Sequence, residues 1–381
     1  MRKVCIVVNS RANYGRIKSV MRAVRRHPDL ELQLVVGASA LLYRFGSAVD
    51  VIRADGFEPV ATCHMVIEGN TPATMAKSTG LGIVELTTIF ENLSPDIVLT
   101  VADRYETLAT AVSASYMNIP LAHTQGGEVT GSIDESVRHA ITKFAHIHFP
   151  ASRQAADYLR RMGENPDKVF LTGCPAMDLL VDIDLSMTDD FFTKAGGVGP
   201  KIDASLPYLV VLQHPVTTEY GQSSDQIEAT LQAVHQTGKQ TVWLWPNVDA
   251  GSDDISKRLR MFRENNADAP IHFFRNFSPE EYARLINNCG CLVGNSSSAI
   301  REGAFLGVPA VNIGNRQRGR EHADNVIHVE NQAETIEAAI GRQLGNGRYP
   351  RSDLFGTGDA GTQIADKLAS VDPSIVKRLH Y

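Results

Sequence analysis

The sequence predicts an α/β protein built from two doubly wound parallel sheets, and three observations carry that expectation. Short, almost wholly apolar runs recur as buried parallel strands do, stretches of helical period fall between them, and the theme is played twice. In the first half, Val4–Val8, Leu32–Val36, Asp96–Val101 and Ile119–His123 read as strands, with helical stretches such as Arg16–Arg25 between them. In the second half, Tyr208–Gln213, Thr241–Trp245, Ile271–Phe274, Cys291–Gly294 and Pro309–Ile313 repeat the pattern. A chain of 381 residues is too long for one ordinary core, and at roughly 150 residues per domain it suggests about two. The join is expected near Cys174, giving domains over 1–173 and 174–361. A loose segment, Ser186–Pro207, follows the join, because it holds three glycines over 196–199 and few apolar anchors. A closing helix over about 362–381, marked by Ile364, Leu368 and Val371, is too short for a domain and is expected to pack back onto the first.

Composition narrows the function. A net charge of −6 with interspersed signs leaves no polybasic face, so long nucleic acid and anionic membranes are not expected partners and a small molecule is. The first apolar stretch is ended by Asn9, Ser10 and Arg11, so neither a signal peptide nor a membrane span is expected. Five cysteines form no C-x-x-C pair and no zinc-ligand spacing, as in reduced cytoplasmic proteins.

The densest chemistry lies in the run His123–Lys143. His123 ends a strand, Gly126 and Gly127 can take positive φ, and Ser132 with Glu135 reads as a capping box. Ile133, Val137, Ala140 and Ile141 then form the core-facing stripe of a helix. Its polar residues therefore gather at the C-terminal edge of a sheet, where ligands bind in open α/β folds. Other strand-end loops carry further candidates. Ser10–Arg16 opens a helix whose Ile17, Val20, Met21 and Val24 face inward; it is either an ordinary cap with solvated arginines or a phosphate site using Arg11, Gly15 or Arg16. Asn295–Ser298 offers hydroxyl and N–H donors at a helix start, with Glu302 one turn on as a sugar acceptor or a surface carboxylate. Asp103 and Glu106 have capping-box spacing, which alone accounts for them unless a second observation supports chemistry. His214 before Pro215, and Asn247 after Pro246, end second-half strands in extended geometry. His146 and His148 share a face if their segment is a strand, but no further ligands at metal spacing lie nearby, so a structural role is expected and no metal.

These residues resemble a family. Asp103-Arg104, the run from His123 through Gly126-Gly127-Glu128 and Asp134 to Arg138, His139 and Lys143, Gly173–Pro175, Leu212–Thr218, Pro246–Gly251, Gly294–Ser297 and Arg316–Glu321 are similar, in order and spacing, to the hydrolysing UDP-N-acetylglucosamine 2-epimerases. The resemblance implies a glycosyltransferase-B-like pair of Rossmann-type domains, a UDP-sugar in the interdomain cleft, no metal or other cofactor, and a homodimer or homotetramer. It implies conversion of UDP-N-acetylglucosamine and water into N-acetylmannosamine and UDP, an entry to sialic acids, or the same chemistry on UDP-N,N'-diacetylbacillosamine towards legionaminic acid. By resemblance, Asp103 and Asp134 match catalytic carboxylates, with His123, Gln125 and Glu128 beside them. Arg11, Arg104, His214, Asn247, Ser296, Ser297, Glu302 and Arg316 match nucleotide-sugar contacts, joined by Gly15 and Arg138 as substrate-side candidates.

The chemistry explains the residue types. The C2 proton of an amido sugar is not acidified by a carbonyl, so it leaves as the C1–O bond to the diphosphate breaks, giving a glycal that is then hydrated. That demands two acid/base groups and donors for the departing UDP. Crowding of Asp103, Glu128 and Asp134 is expected to raise at least one carboxyl towards neutral pH. One departure stands out: several family members carry a catalytic glutamate where this chain has Gln125, whose amide only orients groups by hydrogen bonding. Two other function classes fit the same residues, a glycosyltransferase of the same architecture and a silent UDP-sugar binder.

Overall fold

The computed structural model describes residues 1–381 except Asn70, Asn247 and Val248, and of Arg44 the backbone alone. Among the described residues, β1 (Arg2–Val8), β2 (Leu30–Gly37), β3 (Ala61–Cys63), β4 (Ile97–Val101), β5 (Leu121–Thr124) and β6 (Ile147–Phe149) form one sheet in the order β3-β2-β1-β4-β5-β6. A second sheet joins β7 (Leu209–Leu212), β8 (Thr241–Leu244), β9 (Ile271–Phe274), β10 (Cys291–Gly294), β11 (Ala310–Ile313) and β12 (Val326–Val329) in the order β12-β11-β10-β7-β8-β9. Every pairing between these strands is parallel. Counted from its own first strand, each sheet has the Rossmann order 3-2-1-4-5-6, which reverses direction between β1 and β4 and again between β7 and β10.

The alternation along β1 shows why the strands read as unbroken apolar runs. Val4, Ile6 and Val8 pack with Ile17, Val20, Met21 and Val24 of the helix Arg11–Arg26 and with Ile364 and Leu368 of the helix Ala360–Ser370. Cys5 and Val7 face the other side, with Leu86 and Phe90 of the helix Pro72–Leu93 and Ala109 of the helix Tyr105–Tyr116. Successive residues of a strand point to opposite faces, so a sheet covered on both sides needs every position apolar, each fully buried aliphatic side chain contributing about 2 kcal/mol. In the second sheet Leu209 and Val211 pack with Ile227, Leu231, Ile336 and Ile340 in the same manner.

The chain divides into one unit of Met1–Val129, Ile133–Val181 and Phe355–Tyr381 and another of Thr130–Ser132 and Asp182–Leu354. The division therefore falls later than 173/174. The reason is the helix Ala176–Asp182, whose Asp178 carboxylate accepts the N–H groups of Ala360 and Gly361 at 3.0 and 2.6 Å and so caps the helix Ala360–Ser370. That closing helix stops at Ser370 instead of running to 381, because Pro373 lacks an N–H and biases Asp372 away from helical geometry. The segment Ser186–Pro207 is anchored, not loose. Its helix Phe191–Ala195 buries Phe191 and Phe192 against Phe277, Tyr208 and Phe274, and Val198 exchanges two 2.9 Å backbone bonds with Phe273 of β9. β3 and β12 have no counterpart in the sequence reading; both are short and lie at sheet edges. No helix among the described residues is long and apolar enough to cross a membrane.

Candidate functional site

In the first unit the chemistry-bearing residues cluster at the C-terminal ends of β4 and β5. After Val101 the chain turns through Ala102 at φ +62°, a left-handed conformation that costs a residue with a side chain about 1 kcal/mol or more. His123, fully buried on β5, holds this turn: its Nε2 lies 2.7 Å from the Ala102 carbonyl. A carbonyl only accepts, so Nε2 carries the proton. Burial pushes the His123 pKa down to about 3, overriding the carbonyl bond that favours the charged form, and the ring stays neutral. His123 thus positions the residue before Asp103 and does not exchange protons at working pH.

Asp103 is not a helix cap. The helix Tyr105–Tyr116 is preceded by Arg104 as N-cap, and Glu106, expected as the capping partner, is fully buried against the Arg104 guanidinium at 3.1 to 3.3 Å. Asp103 Oδ2 instead accepts from Nη2 of Arg138, a residue with no solvent exposure whose Nη1 donates to the Glu128 carbonyl at 2.7 Å. Burial works against the charge on Arg138, but the carboxylates of Asp103, Glu128 and Asp134 outweigh it and raise its pKa above the ordinary value. The guanidinium is a fixed cation, and an adjacent opposite charge favours the ionised carboxylate. Arg138 and Asp134 sit one turn apart on the helix Ile133–Phe144. The expected apolar stripe of that helix is displaced: Ile133 is exposed at 43 %, while Arg138 and Thr142 join Val137 and Ile141 inside.

The turn between β5 and this helix uses positive φ at Gln125 (+62°) and Gly127 (+79°), not at Gly126. A side chain at Gly127 would strike the Ala155 carbonyl, and one at Gly126 would meet His123 Nδ1. Gln125 is buried, its Nε2 pointing at Cys174 Sγ at 3.4 Å and not at Asp103. Arg11 and Gly15 lie in the helix Arg11–Arg26, capped by Ser10 Oγ accepting from the Asn13 N–H at 3.2 Å; both are half-buried, and the cap satisfies the ordinary structural reading of the loop. His146 and His148 are engaged structurally, by Leu121 N–H and the Ile375 carbonyl and by Glu164. No group of three or more His, Cys, Asp or Glu among the described residues is placed to hold a metal ion.

In the second unit the candidates line the corresponding edge, where β7 and β10 adjoin. Gly294, at φ +126°, brings these strand ends together, since a Cβ there would overlap the Leu212 carbonyl. Asn295 then binds the His214 backbone twice, Oδ1 accepting its N–H at 2.7 Å and Nδ2 donating to its carbonyl at 2.8 Å. The Asn295 carbonyl accepts from Arg316 Nη1 at 3.1 Å and from Gln317 Nε2 at 2.9 Å, and Arg320 Nη1 donates to Gln317. Ser296 caps the helix Ser297–Ile300, and hydroxyls chain from Tyr282 through Ser298 to Ser296 at 2.6 and 2.9 Å. That helix has four residues and breaks at Arg301 before Glu302–Leu306, so the dipole expected here is that of a single turn and the donors are local N–H and O–H groups. Glu302 opens the second short helix, half-buried, and Asn247 lies outside the described residues.

His214, Ser296, Ser297 and Arg316 are thus gathered on one framework in the second unit, as Asp103, Glu128, Asp134 and Arg138 are in the first. Sequence reasoning gave no positioning role to Asn295, Gln317 or Glu106, which hold other residues in place. Asn295 and Gln317 lie inside the motifs at the ends of β10 and β11, yet an amide in a motif gives no sign of whether it meets a ligand or a backbone.

A family model described as UDP-N-acetylglucosamine 2-epimerase matches residues 22–369. A Legionella pneumophila relative, a UDP-N,N'-diacetylbacillosamine 2-epimerase (hydrolyzing), is 30 % identical over 371 residues, covering 97 % of this chain and 96 % of that protein. A Neisseria meningitidis UDP-N-acetylglucosamine 2-epimerase is 27 % identical over 95 % of this chain and 93 % of its own. In fold the chain is similar to a solved UDP-GlcNAc 2-epimerase from Neisseria meningitidis bound to UDP-GlcNAc (TM-score 0.80, 17 % identity, 96 % of this chain and 99 % of that one). A Methanocaldococcus jannaschii UDP-GlcNAc 2-epimerase in complex with UDP-GlcNAc and UDP is similar in the same way (TM-score 0.79, 18 % identity, 96 % and 99 %). Two Rossmann-ordered sheets, the Asp103 carboxylate bonded to a buried arginine, and a family match running over nearly the whole length lead to one conclusion: the chain belongs to the UDP-N-acetylglucosamine 2-epimerase family.

Proposed function

We propose that this protein is a hydrolysing 2-epimerase that converts UDP-N-acetylglucosamine and water into N-acetylmannosamine and UDP. The observation that carries the reading is Asp103, set at the end of β4 and held by the buried Arg138. A carboxylate kept ionised by a fixed cation is suited to accept the C2 proton as the C1–O bond breaks and UDP departs with the bonding electrons. Asp134, one turn before Arg138 on the same helix, is the second acid/base group; entering protonated, it gives its proton to C2 on the opposite face while water adds to C1 of the glycal, the proton left by water restores Asp134, and Asp103 releases the abstracted proton to solvent. Glu128 is the reserve carboxylate, and Arg104, buried against Glu106, is a fixed cation at the same strand end. The donors of Ser296, Ser297 and Arg316, with His214, serve the UDP. A homo-oligomeric, cytoplasmic enzyme is part of this reading, and light scattering of the purified protein tests the first half of it.

Incubation with UDP-N-acetylglucosamine alone in D2O tests the reaction. UDP release together with a free 2-epimer deuterated at C2 is the expected result. Turnover only with a sugar acceptor would replace it by a glycosyltransferase, and binding without any turnover by a silent nucleotide-sugar binder. A second substrate reading, UDP-N,N'-diacetylbacillosamine, is favoured by the activity for which the 30 % identical Legionella relative is named. Comparing kcat/KM for the two nucleotide sugars decides between them.

A further inference from the structure

Between Ser374 and Tyr381 the usual order of burial is inverted. Ile375, Val376 and Leu379 are exposed at 45, 68 and 60 %, while the Lys377 side chain is only 23 % exposed, the one residue of the stretch withdrawn from solvent. Lysine is the residue type least often buried without a partner, so the tail is docked through it. Its Nζ donates to the carbonyls of Thr142 (2.8 Å) and Ala145 and to Glu164 Oε2 (2.5 Å). The Thr142 carbonyl lies in the last turn of the helix Ile133–Phe144 and Ala145 directly follows it, at the end where backbone acceptors lack intrahelical partners and a cation is favoured. Glu164 also receives Lys143 Nζ at 2.9 Å and His148 Nε2 at 2.9 Å. Burial pushes the Glu164 pKa up, but these partners outweigh it and hold it near 2, so it is a permanent counter-ion for Lys377. The tail is tied further by Ile375 O to His146 and by His380 N–H to the Gly163 carbonyl.

The helix so plugged carries Asp134 in its first turn and Arg138 midway along it. An α-helix is a rigid rod with a rise of about 1.5 Å per residue, so Thr142 lies roughly 6 Å along the axis from Arg138. We propose that Lys377 is a positioning residue: by plugging the C-terminal end of this helix it fixes the helix's axial placement, and with it the registration of Arg138 against Asp103 and of Asp134 in the acid/base site. The proposal rests on the 2-epimerase reading only for its kinetic consequence. The mechanical part stands on the contacts alone. A shift of about 1 Å in a catalytic group costs up to 100-fold in rate, whereas nucleotide affinity is set by other residues.

The test uses the full-length protein with Lys377→Met, which keeps the apolar stem and removes the donors, and Lys377→Arg, which keeps them. For Lys377→Met, kcat is expected to fall roughly tenfold or more while KM and UDP affinity stay within about twofold, and Lys377→Arg is expected to restore most of kcat. Amide exchange over 133–140 is expected to rise in Lys377→Met while that of β1 and β4 is unchanged. Should Lys377→Met not accumulate folded, Lys377→Gln, which retains two N–H donors without charge, is measured in the same way. Unchanged kcat together with unchanged exchange over 133–140 in a folded variant overturns the proposal. A uniform rise in exchange across the first unit, with kcat and stability lost in step, overturns it as well. If wild-type protein releases no UDP from any nucleotide sugar, the 2-epimerase reading fails by itself and the exchange measurement still decides the role of Lys377.

Discussion

Asn295 and His214 are tied to each other by two hydrogen bonds, His214 N–H to Asn295 Oδ1 at 2.7 Å and Asn295 Nδ2 to the His214 carbonyl at 2.8 Å. The pair locks the loop after β10 to the loop after β7, the adjacent strands at which the second sheet reverses direction. Asn295→Asp keeps the first bond and sets a carboxylate oxygen against the His214 carbonyl. Leaving a buried acceptor facing a charge of its own sign costs about 1 to 3 kcal/mol, so UDP affinity is expected to fall roughly tenfold. Calorimetric titration of UDP checks this, and an unchanged Kd would detach the loop lock from nucleotide binding.

Asp103→Asn is expected to abolish UDP release, by about 100-fold or more, while UDP binding changes little. It also strips the counter-charge from a buried guanidinium, and breaking such a pair costs about 3 kcal/mol or more. Thermal unfolding should therefore register the substitution even where nucleotide titration does not. Wild-type turnover in Asp103→Asn would remove Asp103 from the mechanism.

The strands most fully buried were the most legible in the sequence: β1, β2, β4, β5 and β7 through β11 all announce themselves as apolar runs, because each is buried along most of its length. β3 and β12 do not, since each buries a single residue, too few to impose a pattern, whereas β9, an edge strand equally short, buries three of its four. The carboxylates were legible as types and not as partners. Nothing in the spacing of Asp103 and Arg138 says that a residue at the end of β4 reaches a helix beyond β5; that follows only from strand order. Periodicity also misplaced Ile133, because the stripe that the helix buries is set by Arg138 and its two acceptors as much as by hydrophobicity. Lys377 carried no sequence signal at all, standing beside Arg378 in a short tail of mixed polar and apolar residues.

Acid should destabilise the protein through His123. Its pKa is about 6.5 unfolded and is lowered to about 3 in the fold, so below pH 6.5 the unfolded state binds the extra proton and stability falls as pH drops towards 3. The slope from this one group is about 1.4 kcal/mol per pH unit, and His148, lowered by the same burial, steepens it. His123→Gln keeps an N–H donor near Ala102 and removes the titration. It is expected to be less stable at pH 7.5 yet to lose less stability per pH unit between 6.5 and 4.5, as read from urea unfolding at several pH values. Parallel slopes for the two proteins would contradict a buried neutral imidazole.

Gln125→Glu supplies the carboxylate that the family resemblance leads one to expect at this position, but the geometry argues against a gain of activity. Gln125 is buried, holds positive φ and turns its amide towards Cys174, so a glutamate there loses its donor and buries a charge against a thiol. Burial raises the pKa of such a carboxyl, so the folded state binds the proton more tightly than the unfolded one and stability is regained as pH falls. The expected result is no increase in turnover on UDP-N-acetylglucosamine and a loss of about 1 to 3 kcal/mol at pH 8 that shrinks towards pH 5. Denaturant titrations at the two pH values, run beside the kinetic assay, check both halves. A large gain in rate would instead place the side chain at position 125 in contact with substrate and identify the native glutamine as an impairment.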